Sequence, residues 1–492
     1  MPTAGTVELP PDARSMEALG RNHAFESALA DIVDNSIDAG AGNTLIRFVR
    51  RGERLIGLLV VDDGRGMNER QVDVAMTVGG RRKYGPNDLG RFGLGLKAAS
   101  FSQAKSLTVV TRAARHPPCG RRWHLGRSRN FMCEVVEGSF AAQLLARDWG
   151  LPSGNTGTIV RWDEVTGFPS VSDANVVDRF LTSAITKTRQ HLGLIFHRLL
   201  QRAVTHIYID VEDVASGEVA LRYEVEPLDP FNYLRSGKAG YPVKLRASQR
   251  GHELLLDCHI WPGRSVVPEF NLPGGPSERQ GFYFYLRDRL IQAGGWSGVE
   301  HPDKRLSLAR VSVDIDGDIA GVFKLKPEKT GIEPGPDFPD LLRSARAHGG
   351  TTFKSYLVDA EGAYREARRR RAQRRAVFPP GKGFDPVVKR TIAAELRFLE
   401  GEDPIDIRWT RLHGSGFFEI DRDARIIRLN ERYRVALLGD RRGSLNDAPL
   451  LKSLIYLLIE DAFHGQYMGP RDKDNIELWQ AVLTRAALAE TE

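Results

Sequence analysis

The chain has 492 residues, 41% of them apolar and 27% charged, with a formal net charge of +7. That length exceeds what one hydrophobic core sustains, so about two to four globular domains are expected. No run approaches the roughly eighteen apolar residues of a membrane span, and the opening MPTAGTVELPPDARS lacks the layout of a secretion signal. Cys119, Cys133 and Cys258 stand far apart, with no Cys-x-x-Cys and no His-Glu-x-x-His. This excludes a disulfide framework and an ordinary zinc site, and fits a reducing, cytoplasmic setting. Residues 365–375 (REARRRRAQRR) carry seven Arg and one Glu, a net +6, so the basicity is a local device.

Residues 1–20 read as an extended N-terminal arm ending at Gly20. Residues 21–39 predict a helix, because Phe25, Leu29, Ile32, Val33 and Ile37 recur at a spacing of three or four; Gly40 and Gly42 stop it. Thr44–Val49 and Leu55–Val61 are strands, the second apolar enough for a buried position. After an Asp-Gly turn come a short helix at 68–78 and the segment GGRRKYGPNDLG, whose glycines and proline mark a lid. A helix at 94–103 starts directly after further glycines. Strands follow at Leu107–Arg112, Arg122–Leu125, Cys133–Val136 and Gly157–Trp162, then a long amphipathic helical stretch at 173–203.

From about residue 205 the pattern turns to strands: HIYIDVE, LRYEVEP, YPVKLRAS, ELLLDCHIW, GFYFYLRDRLI and ARVSVDIDGDIAGVFKL. Residues 351–376 are a helix that becomes the arginine run, and VFPPGKGFDP (377–386) reads as a linker. The remainder predicts a helix at 387–400, strands near 405–429, and helices at 448–463 and 474–489. The expected organisation is an arm (1–20), a nucleotide domain (21–203), a β-rich α/β domain (204–345), a basic helix with linker (346–386) and a small α+β domain (387–492).

Three short motifs carry the chemistry: Asp31-Ile32-Val33-Asp34-Asn35, Asp62-Asp63-Gly64-Arg65-Gly66-Met67, and Gly90-Arg91-Phe92-Gly93-Leu94-Gly95. The Asn35 side-chain oxygen is a hard ligand suited to Mg²⁺, and Asp31, one turn earlier on the same face, suits a group that orients or deprotonates water. Two solvated helix residues would give the same letters. Asp62 ends a buried strand, where a carboxylate is costly unless paired; the exocyclic amine of adenine is a fitting donor. Gly64 and Gly66 would let the backbone approach the ring and Met67 pack on it, although an ordinary Asp-Gly turn reads the same way. Gly90, Gly93 and Gly95, opening a helix, suit phosphate binding through backbone N–H groups. Lys97 on that helix is either a phosphate contact or an exposed lysine.

The ordered set resembles the GHKL superfamily of gyrase B, Hsp-type chaperones, histidine kinases and MutL. DIVDNSIDAGA matches its first motif, DDGRGM its second, GRFGLGL its third and Gly157-Thr158 its fourth, together covering residues 20–165. The resemblance implies a Bergerat-type sandwich of mixed sheet and helices that binds ATP and Mg²⁺, with no Walker P-loop. The nucleotide would be held by Asn35, Asp62, Gly64, Gly66, Met67, Lys83 in the lid, Gly90, Gly93, Leu94, Gly95, Lys97 and Thr158. Lys329 of KPEKTGI is similar to the transducer-domain lysine that reaches the γ-phosphate in MutL and gyrase relatives, although a plain surface lysine reads the same way. GFYFYLRDRLIQAGGW and FGLGLK look most like bacterial relatives of the MORC ATPases.

One departure stands out: the family has Glu where this chain has Asp31. Losing a methylene withdraws the carboxylate by roughly 1.5 Å, and an error of about 1 Å can cost on the order of a hundredfold in rate. Slow ATP hydrolysis is therefore expected.

The resemblance further implies an ATP-dependent homodimeric clamp, with residues 1–20 either an arm that crosses to the partner or a disordered leader; no membrane is expected to be involved. DNA is the expected partner of Arg368, Arg369, Arg370, Arg371, Arg374 and Arg375, by salt-sensitive phosphate contacts, although arginines on every side of the helix also fit a solvated helix or an acidic protein partner. Repair, restriction-like defence and chromosome handling stay open. So do two alternatives: a chaperone-like ATPase with protein clients in the last domain, and a nucleotide-sensing scaffold without turnover. Asp314-Ile315-Asp316-Gly317-Asp318 reads as a hairpin turn between SVDI and GVFKL rather than a metal cluster. His464 has no partner at zinc-site spacing.

Overall fold

The computed structural model describes residues 23–77, 95–126, 132–152, 154–249, 252–315, 322–325, 331–373, 375–438, 443–465 and 468–490. The chain divides into two compact units, the first reaching residue 360 except for 262–266, the second comprising those five residues and everything from 361 onward.

The first unit begins with helix α1 (Phe25–Asp38), strands β1 (Asn43–Arg51) and β2 (Arg54–Asp62), then α2 (Glu69–Met76) and α3 (Gly95–Gln103). Strands β3 (Ala104–Arg112), β4 (Cys119–His124) and β5 (Glu134–Val135), helix α4 (Gly138–Ala146) and β6 (Gly157–Val165) follow. Helices α5 (Ala174–Ile195) and α6 (His197–Gln201) lead to β7 (His206–Asp213), β8 (Glu218–Val219) and β9 (Tyr223–Glu224). These strands form one mixed sheet in the order β5-β4-β3-β6-β2-β1-β7-β8, with β9 also on β7. One face carries Phe48, Leu58, Val60, Val109 and Trp162 and is covered by the apolar stripes of α1, α3 and α5. The other carries Leu45, Leu59, Val61 and Ile159 and is covered by α4 and Trp149.

Several boundaries differ from the sequence reading. HIYIDVE, assigned above to the second domain, is β7, and it pairs in parallel with β1 from Asn43↔His206 to Arg50↔Asp213. The buried Arg47 guanidinium seals that pairing, 2.6 and 2.7 Å from the Asp210 carboxylate. A strand whose partner lies 163 residues earlier shows no local sign of the sheet it joins. The first sheet therefore extends past residue 203 to at least 224.

The second sheet comprises β10 (Val243–Gln249), β11 (His252–Ile260), β12 (Gly281–Leu286), β13 (Arg289–Ala293) and β14 (Ala309–Asp314), in the order β10-β11-β14-β12-β13. β12 is buried along its whole length. An aromatic cluster of Phe282, Phe284, Phe323, Phe338 and Phe353 packs this domain. Strands β15 (Phe323–Leu325) and β16 (Ile332–Pro334) pair with each other, followed by α7 (Phe338–Ser344) and α8 (Phe353–Gln373). SVDI and GVFKL thus lie in different sheets and form no hairpin; Asp314 instead pairs with Arg198. Asp316, Gly317 and Asp318 lie outside the described residues. The start of α8 belongs to this domain, since Phe353 stacks on Phe282 and the Tyr356 hydroxyl donates to the His259 carbonyl.

In the second unit, α9 (Pro386–Glu395) precedes β17 (Asp406–Thr410), β18 (Phe418–Asp421) and β19 (Ile426–Asn430), ordered β17-β19-β18, and then α10 (Arg434–Leu438), α11 (Pro449–Ile459) and α12 (Pro470–Ala489). The segment 377–386 is not a free linker. Phe378 and Phe384 are buried in this unit's core, and the Val377 and Gly381 N–H groups donate to the Arg397 and Ile405 carbonyls. Its Pro and Gly residues shape a packed turn.

Candidate nucleotide site

α1 and β2 bring the first two motifs to one place. The Ser36 hydroxyl, one residue past Asn35, donates to Asp62 Oδ2 at 3.1 Å. The Arg65 N–H donates to the Ala39 carbonyl at 3.0 Å, so the end of α1 is stitched to the turn after β2. Asp62 Oδ1 accepts the Gly64 N–H at 3.0 Å. Burial pushes the Asp62 carboxyl up to about 6, against the pull of the Gly64, Ser36 and Thr158 donors and with Asp63 adding repulsion.

Register extends this point into a row. Thr44 faces Asp62, Asp62 faces Thr158, Thr158 faces Thr111, and Thr111 faces Cys119. Directly opposed residues share a sheet face, so the helix-covered, otherwise apolar face turns polar at this end. Thr111 Oγ1 accepts the Met67 N–H at 2.9 Å and lies 3.0 Å from both the Gly157 carbonyl and the Thr158 hydroxyl. The buried Thr44 Oγ1 has no hydrogen-bond partner among the described residues. A buried orphan hydroxyl beside a buried carboxylate suits a polar ligand rather than further apolar packing.

The two turn glycines serve the protein's own packing. Gly66 has φ +63°, and a Cβ there would fall 2.0 Å from the Arg112 carbonyl oxygen. A Cβ on Gly64 would fall 2.8 Å from the Ala39 Cβ. Both residues let the turn close on its neighbours, whereas the sequence reading gave them to the approach of a base. Met67 is half-buried against the main core. At Gly95, the first residue of α3, an added Cβ would meet nothing within 4 Å.

On α1, the Asn35 amide nitrogen donates to the Asp31 carbonyl at 2.9 Å, which directs the amide oxygen away from the helix backbone. Asn35 is exposed, while Asp31 and Asp34 are buried. Asp31 is therefore not a solvated helix residue. His23 Nε2 lies 3.6 Å from its Oδ2 and Arg289 from the second sheet lies 3.6 Å from its Oδ1. Arg289 Nε donates to Asp34 Oδ1 at 2.7 Å. Lys97 is likewise not an exposed lysine. Its buried Nζ donates to the Ala75 carbonyl in the last turn of α2 at 2.7 Å, and burial lowers it to about 8.

Lys83, Gly90, Gly93, Leu94 and Lys329 lie outside the described residues, as do the arm, the lid, Arg374 and the side chains of Arg370 and Arg371. Arg368 and Arg369 are exposed on α8, Arg369 beside Glu366 at 3.2 Å; Arg375 pairs with Asp461 at 2.8 Å. Glu460, Asp461 and His464 do come together, but as a brace. Glu460 Oε1 holds His464 Nε2 at 2.7 Å and the Phe378 N–H at 2.9 Å. Sequence reasoning missed Ser36, Thr111, Asp34 and Arg289 as members of the site. Only Thr111 left a trace, as a polar residue at an inward position of an apolar strand.

Among the described residues no helix is long and apolar enough to cross a membrane. Residues 23–141 match the family described as "Histidine kinase-, DNA gyrase B-, and HSP90-like ATPase". No curated protein matches the chain in sequence. A solved structure, "Crystal Structure of N terminal domain of a DNA repair protein", is similar with a TM-score of 0.41 and 13% identity, over 72% of this chain and 98% of its own. With the α1 motif joined to Asp62 and the mixed sheet behind it, residues 23–141 are a GHKL-type ATPase domain, of the kind found in histidine kinases, DNA gyrase B and HSP90.

Proposed function

We propose that the protein is an ATP-binding, slowly hydrolysing GHKL ATPase of the MutL/MORC kind that works as a nucleotide-gated dimeric clamp on DNA. The observation that carries this reading is the Ser36–Asp62 hydrogen bond, which joins the helix motif to the strand motif in one polar recess. Ionised Asp62 would accept from the adenine amine, with Thr158 and Thr111 completing that end. The outward amide oxygen of Asn35 would hold Mg²⁺, which supplies charge neutralisation at the phosphates. Gly95 at the start of α3 would present backbone N–H groups to phosphate. Lys97 would join them by exchanging the Ala75 carbonyl for phosphate.

Asp31, buried four residues before Asn35, would orient and deprotonate the attacking water. Lys329 would stabilise the γ-phosphate charge and report nucleotide state to the second domain, with the arm and the lid (Lys83 included) closing over the nucleotide in a homodimer. Exposed Arg368 and Arg369 favour phosphate contact by the arginine helix, with Arg370, Arg371, Arg374 and Arg375 adding charge. A second reading, a nucleotide sensor without turnover, draws support from Asp31, which is short, buried and already faced by Arg289.

The test is steady-state ATP hydrolysis with and without double-stranded DNA, at low and moderate salt, beside Asn35→Ala and a variant with Arg368–Arg371 neutralised. DNA-stimulated turnover abolished by Asn35→Ala and desensitised to DNA by the arginine variant supports the clamp. Tight ATP binding with no turnover supports the sensor. No ATP binding at all would sink both.

A further inference from the structure

The hairpin β12–β13 turns through Arg287 and Asp288, at φ +50° and +64°. Such two-residue turns favour glycine or asparagine, so a non-glycine pair in the left-handed region is strained and needs outside support. α6 supplies it. Asp288 pairs with Arg202 and lies 3.6 Å from Arg198, and the Arg198 guanidinium stacks over the Tyr285 ring at 3.4 Å. The next residue is Arg289. Its side chain is 4% exposed and runs from the second sheet into the α1 carboxylates, 255 residues away in sequence.

One fork faces two acids. Nε donates to Asp34 Oδ1 at 2.7 Å, while the second terminal nitrogen stands 3.6 Å from Asp31 Oδ1. A contact needed only for packing would be complete at Asp34. The remaining donor instead addresses the carboxylate assigned above to the water. His23 approaches the other Asp31 oxygen at 3.6 Å, so the group is flanked on two sides. We infer that Arg289 is a positioning residue through which the second domain sets the Asp31 carboxylate for hydrolysis. A shift of the hairpin relative to α1 would move or release that carboxylate without touching the nucleotide's own contacts. The inference rests on the reading of Asp31 as the water-activating group.

The experiment uses the full chain and four variants: Arg289→Lys, Arg289→Gln, Asp34→Asn/Arg289→Gln and Asp31→Asn. Each is measured for thermal midpoint, dissociation constant for a fluorescent ATP analogue, and kcat and KM for ATP. A lone Arg289→Gln removes the cation that faces the buried Asp34 carboxylate and can fail to fold; the double variant removes that charge as well and keeps the question answerable. We expect the folded double variant to lose about ten- to a hundredfold in kcat, with KM and analogue affinity within about threefold of wild type. Arg289→Lys should fall between, because an ammonium cannot span both acids as a planar fork does. A folded double variant that hydrolyses ATP at the wild-type rate overturns the inference alone, leaving Arg289 a packing residue. So does a loss confined to KM. Wild-type turnover in Asp31→Asn overturns the underlying reading and the inference with it.

Discussion

Asp62→Asn probes the buried carboxylate on which the site is built. Burial raises Asp62 from its ordinary 3.8 to about 6, so the native state keeps a proton over a window in which the unfolded chain has released it. The unfolded chain then binds fewer protons, and stability falls as pH rises from about 4 to about 6, staying lower above that. A span of about two pH units is worth on the order of 3 kcal/mol, an appreciable part of the stability of a typical domain. Asn carries no charge at any of these pH values; its single oxygen can still accept the Gly64 N–H, while its amide nitrogen faces the Ser36 hydroxyl as a donor. Urea denaturation of wild type and Asp62→Asn should therefore show the variant gaining on wild type by about 2 kcal/mol between pH 4.5 and 7.5. ATP should stabilise wild type more at pH 7.5 than at pH 5, because an amine donor rewards the ionised acid, and should stabilise the variant little at either. A stability difference that stays flat across this range would refute the assignment of Asp62 as a carboxylate raised by burial.

Two further substitutions address the rest of the recess. Asp31→Glu restores the missing methylene; we expect kcat for ATP to rise by about tenfold with unchanged nucleotide affinity. Equal or slower turnover in a folded variant would mean that chain length at this position does not limit the rate. Thr111→Val keeps shape but removes the hydroxyl that accepts the Met67 N–H and meets Thr158. The stranded donor should cost about 1–3 kcal/mol of unfolding free energy and weaken ATP binding together with it; unchanged denaturation would show that water replaces the hydroxyl.

The parts of this protein legible in its sequence are those written in short windows. The α1 stripe, the buried run of β2 and the three motifs each span a dozen residues or fewer, and local periodicity or turn chemistry reports them. Pairings made over long separations left no such record. β7 joins β1 across the long gap in sequence, through backbone pairing and ion pairs such as Arg47–Asp210 that are invisible among 70 basic and 63 acidic residues. The 377–386 segment has the composition of a linker because prolines and glycines serve packed turns as readily as loose ones; Phe378 and Phe384 were the contrary evidence. Lys97 shows the same limit for one side chain. A lysine after a glycine motif reads as a phosphate contact or a surface residue, and the third possibility, a buried ammonium on the end of α2, depends on where α2 stops.

Arg289 is the sharpest instance. The GFYFYLRDRLI segment announces a hairpin, and alternation cannot tell which arginine turns inward, because β12 is buried on both faces and Arg287 and Arg289 have the same parity. Arg287 and Arg289 are then equivalent on paper. The strained turn and its α6 supports break the tie, sending Arg289 to Asp34 and Asp31. The contact that links the second sheet to the candidate water-activating acid is therefore fixed by a strained turn and the distant arginines that support it, features that local residue patterning does not encode.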